Sequence, residues 1–277
     1  MPGTLSRRVL TVLLLGPVFI GSILAGPRIF AAALAILIFF GGWELWRILD
    51  RGGLRTLPFL PPVAVLLFGV GVSGRLGALE LPLVLIGWTS ALALLFHPPE
   101  GSRPWPIAVI PVHLLAANYL GVLPSFLVRL HEGGWSGAAP QGTGAGWLLL
   151  AVFMIWTCDT GAYAVGSLWG RHPLWPAVSP NKTWEGAIGG TLAAVAAGTL
   201  LAGVLRSGLA GPEAACLAVM VAILASAGDL VESRLKRIAK VKDSGGLLPG
   251  HGGVLDRFDS LFFAAPLFYY YLRAFGR

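Results

Sequence analysis

The feature that most constrains this chain is a succession of long apolar segments joined by short polar connections. A helix of about 20 apolar residues matches the roughly 30 Å hydrocarbon layer of a bilayer. The sequence contains about nine such segments, at roughly 9–26, 29–49, 57–73, 78–96, 105–122, 146–167, 184–205, 212–231 and 254–273. We therefore predict an all-α, polytopic integral membrane protein with about nine transmembrane helices.

The composition excludes an ordinary soluble domain. Hydrophobic residues make up 56% of the 277 residues and charged residues only 12%, whereas soluble domains carry about 25% charged residues. The formal net charge of +7 suits anionic lipid headgroups or an anionic substrate. No nucleic-acid partner is predicted.

The polar residues divide the chain into unequal parts. Residues 1–130 are predicted as N-terminal spans, 131–145 as a Gly-rich outer loop, and 146–277 as a catalytic transmembrane region. If the N-terminus is cytoplasmic, most Lys and Arg residues fall on the cytoplasmic side, as the positive-inside rule requires. The polar residues that flank the later spans then lie near the cytoplasmic face.

Glu44 is the one acid well inside an early span, beside Trp43 and Arg47. A functional role is one interpretation. Its position near a helix end favours the other, a side chain that extends to the membrane interface.

The end of the eighth apolar segment carries a polar helix face. Helical spacing puts six polar residues on that face, namely Asp229, Glu232, Ser233, Lys236, Lys240 and Asp243. A solvated face with ion pairs between successive turns would explain the alternating charges. However, Asp229 still lies in apolar sequence, where an unpaired charge is costly.

The ninth segment opens with a pair of acids, Asp256 and Asp259, after the Gly-rich stretch "DSGGLLPGHGG". They would lie on one face of a first turn, where the helix dipole favours negative charge. A hairpin in the Gly-rich stretch would bring both acids beside Asp229. Three carboxylates form an oxygen ligand set for a hard cation such as Mg²⁺.

Basic side chains surround these acids, which suggests phosphate chemistry. Lys236, Arg237 and Arg257 would face phosphate oxygens. Carboxylates, a metal ion and basic groups together favour phosphoryl or nucleotidyl transfer, in which the protein mainly positions groups and neutralises charge.

Two upstream segments are predicted to join the same site. "WTCDTGAY" places Asp159 at the inner end of the sixth span, and "SPNKTWEG" precedes the seventh. The second segment signals a turn at Pro180 and Asn181, and Ser179 or Thr183 could cap the following helix. The predicted substrate-binding residues from these segments are Asp159, Ser179, Lys182, Thr183 and Glu185; from the later run they are Arg237, Lys242, His251 and Arg257.

The run 233–259 resembles the signature of the phosphatidate cytidylyltransferase family, also called CDP-diacylglycerol synthases. The matching residues are Ser233, Leu235, Lys236, Arg237, Lys242, Asp243, Gly245, Leu248, Pro249, His251, Gly252, Gly253, Val254, Asp256, Arg257, Phe258 and Asp259. "CDTGAY" and "SPNKTWEG" are similar to the family's two upstream motifs. Ser167 departs from the pattern, since a basic residue is expected there.

The resemblance implies a polytopic enzyme of the bacterial inner membrane with its active site facing the cytoplasm. Such an enzyme joins CTP and phosphatidic acid into CDP-diacylglycerol, releases pyrophosphate, uses Mg²⁺ paired with K⁺, and is commonly a homodimer. It also implies that Asp229 and Asp256 bind metal with support from Asp259, that Lys236 contacts phosphate, and that all four are catalytic.

Three alternatives remain open at this point. A related cytidylyltransferase would act on another lipid phosphate. A transporter would use the intramembrane acids for ions or protons, although no charge pathway crosses the N-terminal half. The CDP-alcohol phosphotransferases also use membrane aspartates, but their paired Asp-Gly and Ala-Arg elements are not found.

Overall fold

The computed structural model describes residues 15–51, 59–95, 115–133, 143–205, 207–241, 244–245 and 252–275. The predicted site residues Lys242 and His251 lie outside these ranges, as does Asp243.

The described residues are mostly helical. In chain order the helices are α1 (Leu15–Leu24), α2 (Pro27–Arg51), α3 (Leu60–Val72), α4 (Glu80–Leu95), α5 (Leu123–Glu132), α6 (Thr143–Trp169), α7 (Trp184–Val204), α8 (Gly211–Ile238) and α9 (Leu255–Ala274). A 3₁₀ turn, Gly77–Leu79, precedes α4, and a π-helical turn, Asn118–Val122, precedes α5. These apolar helices indicate a multi-pass membrane protein.

The predicted span count is not confirmed. Among the described residues, four helices (α2, α6, α7 and α8) are long and apolar enough to cross a bilayer. The segments predicted as the third and fourth spans form the shorter helices α3 and α4, which are bent by 117° relative to each other. Counting that bent pair as one span gives five.

A small antiparallel hairpin adds to the predicted all-helical architecture. Strands β1 (Pro173–Trp175) and β2 (Ser179–Thr183) pair with Pro173 opposite Thr183 and Trp175 opposite Ser179. The turn predicted at Pro180 and Asn181 is therefore wrong, because both residues lie within β2. The proline can take an edge position there, since a two-stranded sheet has only edge strands.

Small residues allow α6 and α7 to approach closely. A Cβ atom added at Gly161 would lie 2.6 Å from the Ala193 Cβ, and one added at Gly190 would lie 2.6 Å from the Cys158 carbonyl oxygen. Such small-residue faces are how membrane helices pack without a hydrophobic driving force between them. This packing fixes the β1–β2 hairpin, which connects the two helices.

The last two helices, α8 and α9, pack against each other, as the Gly-rich connection predicted. A Cβ at Gly228 would lie 2.7 Å from the Phe263 Cβ and 3.0 Å from the Asp259 carbonyl oxygen, so glycine is needed for this approach. The close contact occurs one residue before Asp229 and therefore brings the acids of the two helices together.

Candidate active site

Three carboxylates meet where α8 and α9 pack. Asp229, Glu232 and Asp259 each offer an oxygen atom that lies within 4.8 Å of the other two. Asp229 and Glu232 share a face of α8 because they are three residues apart. Predicted ligands Asp229 and Asp259 belong to this group, and Glu232 is a third member that the sequence reasoning did not assign to a metal.

Lys182 reaches the group from the β1–β2 hairpin. Its Nζ lies 2.7 Å from Asp229 Oδ2. The other oxygen of Asp229, Oδ1, accepts a hydrogen bond of 3.3 Å from Ser233 Oγ. The hairpin thus delivers a positive charge to the acid group at the C-terminal end of α8.

Lys236 bridges two acids from different helices. Its Nζ lies 2.5 Å from Glu232 Oε2 and 2.6 Å from Asp256 Oδ1. The Glu232 side chain is 1% exposed and that of Lys236 is 13% exposed, so the pair is largely removed from water. Among the described residues, the other oxygen of Glu232, Oε1, has no hydrogen-bond partner.

Asp256 is held by residues from both ends of the connection between α8 and α9. Its Oδ2 accepts hydrogen bonds from Gly253 N (2.8 Å), Ser244 Oγ (2.9 Å) and Ser244 N (3.1 Å). With Lys236 on its Oδ1 atom, this carboxylate is heavily bonded, and it is not one of the three mutually close acids. Its assignment as a metal ligand stays a prediction.

Asp159 and Arg257 complete the charged surroundings. Asp159, on α6, is close enough to interact electrostatically with Asp229, Lys182 and Arg257. Asp259 is buried, and its Oδ1 accepts a 2.7 Å hydrogen bond from Ser260 N. The upstream segment around Asp159 therefore lies beside the later signature, although more than sixty residues separate them.

The second upstream segment contributes its residues in different ways. Thr183 caps α7, with its Oγ1 accepting a 3.1 Å hydrogen bond from Gly186 N, as predicted. Glu185 instead bonds the chain just before the β1–β2 hairpin. Its Oε1 lies 2.5 Å from His172 Nδ1, and its Oε2 accepts hydrogen bonds of 3.2 Å from Arg171 N and His172 N. Ser179 begins β2. Substrate contacts by these residues stay predictions.

Arg237, on α8, contacts the turn of the β1–β2 hairpin. Its Nε donates a long hydrogen bond of 3.5 Å to the carbonyl oxygen of Val178. Helix α8 ends at Ile238, and Lys240 has a left-handed φ of 56°. The prediction that Lys240 continues the polar face of α8 is therefore wrong, because the helix has already ended.

Sequence reasoning also missed the role of Glu44. Its side chain is 2% exposed, so it is enclosed by protein rather than extended into solvent. Its Oε2 accepts hydrogen bonds from Leu255 N (3.0 Å) and Ser244 Oγ (3.3 Å). The only signal in the sequence was an acid within an apolar segment, which left its partner unidentified.

This arrangement is suited to binding a phosphate-bearing ligand together with a divalent cation. Five acids and two lysines from α6, β2, α8 and α9 lie at one end of the helices; they are Asp159, Asp229, Glu232, Asp256, Asp259, Lys182 and Lys236. Grouped carboxylates are suited to a hard divalent cation, and lysines to phosphate oxygens.

Comparison with known proteins identifies the family of this chain. The chain matches the cytidylyltransferase family over residues 6–275. It is 36% identical to a phosphatidate cytidylyltransferase of Synechocystis sp. over 271 residues, which cover 90% of each chain. The corresponding protein of Pseudomonas aeruginosa is 36% identical over 270 residues (95% of each chain), and that of Haemophilus influenzae is 33% identical over 289 residues (96% of this chain and 98% of the relative). The chain therefore belongs to the cytidylyltransferase family.

Proposed function

We propose that this protein is a phosphatidate cytidylyltransferase, which joins CTP and phosphatidic acid into CDP-diacylglycerol and pyrophosphate. The observation that carries the proposal is the convergence of Asp229, Glu232 and Asp259 with Lys182 and Lys236 in a chain of this family. The relatives named for this activity match nearly the whole chain.

The acid group fits a divalent cation. Asp229, Glu232 and Asp259 supply oxygen ligands only, which Mg²⁺ prefers. Lys236 contacts one oxygen of the buried Glu232, but the other, Oε1, has no hydrogen-bond partner among the described residues, which is costly unless a cation contacts it. We propose that these residues hold Mg²⁺, with Asp256 close by. When bound, Mg²⁺ would neutralise charge on the triphosphate and on the departing pyrophosphate. The K⁺ ion implied by the resemblance has no residues assigned to it.

The reaction requires no nucleophile from the protein. A phosphate oxygen of phosphatidic acid attacks the α-phosphorus of CTP and forms a new P–O bond. The bond from that phosphorus to the bridging oxygen breaks in line, and pyrophosphate leaves with the electron pair. The lipid phosphate is already anionic, so the protein's task is to bring two anions together.

The lysines are suited to this task. In this structure Lys182 and Lys236 neutralise carboxylates. An ammonium group has three donors, so Lys236 can keep both acid contacts and offer its remaining N–H to a phosphate oxygen. If Asp229 held a cation, Lys182 would be able to bind a phosphate oxygen instead of that carboxylate. Arg237 and Arg257 are proposed to hold further oxygens.

The proposed location is the bacterial inner membrane, with the site facing the cytoplasm, where CTP is present. Trp169 and Trp184 flank the hairpin and are 64% and 57% exposed. Tryptophan favours the membrane–water interface, which supports placing the β1–β2 hairpin at the depth of the lipid headgroups. Phosphatidic acid could then reach the site sideways from the leaflet. A homodimer is also proposed.

The experiment is an assay of purified protein in detergent with labelled CTP, phosphatidic acid and Mg²⁺. Label extracted into the lipid phase as CDP-diacylglycerol is expected, and Asp229→Asn or omission of Mg²⁺ should abolish it. No product from monodisperse protein would refute the proposal. Product from another lipid phosphate alone would establish a different acceptor, and ion flux without CTP would establish a transporter.

A further inference from the structure

The start of α9 lacks a cap of its own. The first backbone N–H groups of a helix have no partners within the helix, and the N-cap residue, Val254, makes no side-chain hydrogen bond to them. The partner of Leu255 N is instead Glu44 Oε2, at 3.0 Å, from the second helix of the chain. A buried carboxylate at this end also suits the positive end of the helix dipole.

The same oxygen of Glu44 reaches the other side of the connection. Ser244 Oγ lies 3.3 Å from Glu44 Oε2 and 2.9 Å from Asp256 Oδ2. Ser244 therefore lies between the two carboxylates, and its position is set by both. Glu44 thus contacts Ser244, near the start of the Gly-rich stretch, and Leu255, just beyond its end, and so links the two ends of that connection.

Two signature glycines make room for this carboxylate. A Cβ at Gly245 would overlap Glu44 Oε1, and one at Gly253 would overlap Glu44 Oε2 and Ser244 Oγ. Neither glycine has a positive φ, so backbone conformation would allow alanine at both positions. The Glu44 side chain, together with Ser244, is what excludes a larger residue.

From these contacts we infer that Glu44 is a positioning residue for the proposed reaction, acting as a cap supplied by α2 that fixes Ser244 and the first turn of α9, at the two ends of the connection. Among the described residues, the hydrogen bonds of Glu44 go to Ser244 and Leu255, and Glu44 is not a member of the three-acid group. It acts through Ser244 and Leu255 on Asp256, and through Asp256 on Lys236. The catalytic consequence of this role rests on the proposed function, whereas the contacts of Glu44 with Ser244 and Leu255 do not.

The partners of Glu44 Oε2 define which replacement should work. Both are neutral donors, a backbone N–H and a hydroxyl, so a neutral oxygen acceptor of the same length can replace the carboxylate. Glu44→Gln keeps such an acceptor, whereas Glu44→Ala removes it. Asp50→Ala is the matched control, because Asp50 is an exposed carboxylate on the same helix.

The test combines hydrogen–deuterium exchange with turnover on the full-length protein in detergent. Without CTP or metal, Glu44→Ala should raise exchange of the Ser244, Gly253 and Leu255 amides by roughly ten- to hundredfold, because removing the acceptor leaves the buried Leu255 N–H and Ser244 hydroxyl without it. kcat should fall by a similar factor. Glu44→Gln should stay within about threefold of wild type in both measurements, and Asp50→Ala should match wild type.

A second pair of variants covers the case in which Glu44→Ala does not fold. Gly245→Ala inserts a Cβ against Glu44, whereas Gly203→Ala places one where no atom lies within 4 Å. Increased exchange of the 244–255 amides only in Gly245→Ala would support the inference. Three results would overturn it: wild-type exchange and kcat in Glu44→Ala, changes in Glu44→Gln as large as those in Glu44→Ala, or the same exchange in Gly245→Ala as in Gly203→Ala.

The two readouts separate this inference from the proposed function. If the wild-type protein makes no CDP-diacylglycerol but Glu44→Ala still loosens the connection, the proposed reaction is wrong and the cap stands. If product forms and the amides are unaffected by Glu44→Ala, the cap is wrong and the reaction stands.

Discussion

Lys236 offers the most informative single perturbation, because it is the cation between two largely buried acids. Its Nζ contacts Glu232 and Asp256 at 2.5 and 2.6 Å. Lys236→Met keeps the length of the side chain and removes the charge, which leaves the 1% exposed Glu232 uncompensated. Breaking one partner out of a buried ion pair costs about 3–5 kcal/mol, and we expect that loss in the free energy of unfolding.

The measurement is the melting temperature in detergent, together with turnover. For a chain of this size the loss corresponds to a fall of roughly 10 °C, and activity should vanish. Lys240→Met is the control, because Lys240 is exposed on the following turn and an exposed charge contributes less than about 1 kcal/mol.

A double variant separates the two roles of Lys236. Adding Glu232→Gln to Lys236→Met removes the uncompensated charge, so most of the lost stability should return while activity stays absent. A Lys236→Met protein as stable as wild type would refute the reasoning, since Lys236 would then not be neutralising a buried acid.

The remaining predictions concern other parts of the site. Asp229→Asn should abolish transfer of label to lipid while membrane insertion, measured by fractionation, stays at the wild-type level; retained transfer would contradict the assignment. Chelation with EDTA should stop turnover and added Mg²⁺ should restore it, whereas full activity in EDTA would contradict a metal at the acid group. His172→Ala should raise proteolysis of the β1–β2 hairpin and lower kcat by up to about tenfold, because one charge-assisted hydrogen bond to Glu185 is lost; unchanged digestion would contradict this role. Gly161→Leu should abolish folded, monodisperse protein by separating α6 from α7, and normal recovery would show that their close packing is dispensable.

Local patterns predicted the parts of the site that lie close together in the chain. The cap at Thr183 follows from a hydroxyl before a helix, and the packing of α8 on α9 follows from a Gly-rich connection between two apolar segments. The grouping of Asp229 with Asp259 was reached in the same way. Each of these inferences needed only spacing and the identities of neighbouring residues.

Contacts between distant segments were not predictable in this way. Glu44 appeared to be an interfacial acid because it lies near the end of an apolar segment, and its partners lie beyond residue 240. Glu232 was seen as part of a charged face, but only packing revealed its closeness to Asp259. The 117° bend between α3 and α4 is likewise a feature that a hydropathy pattern does not contain.

The contact between Glu44 and Leu255 has a consequence for biosynthesis. Chains are made from the N-terminus at about 5–20 residues per second, so α2 is complete well before α9 leaves the ribosome. During that interval the Glu44 carboxylate lacks the Leu255 amide and the Ser244 hydroxyl that bond it in the folded protein. A nascent chain that ends before residue 255 therefore lacks the backbone amide that bonds Glu44 Oε2 in the finished protein, so this contact of α2 forms only when synthesis has reached the start of α9.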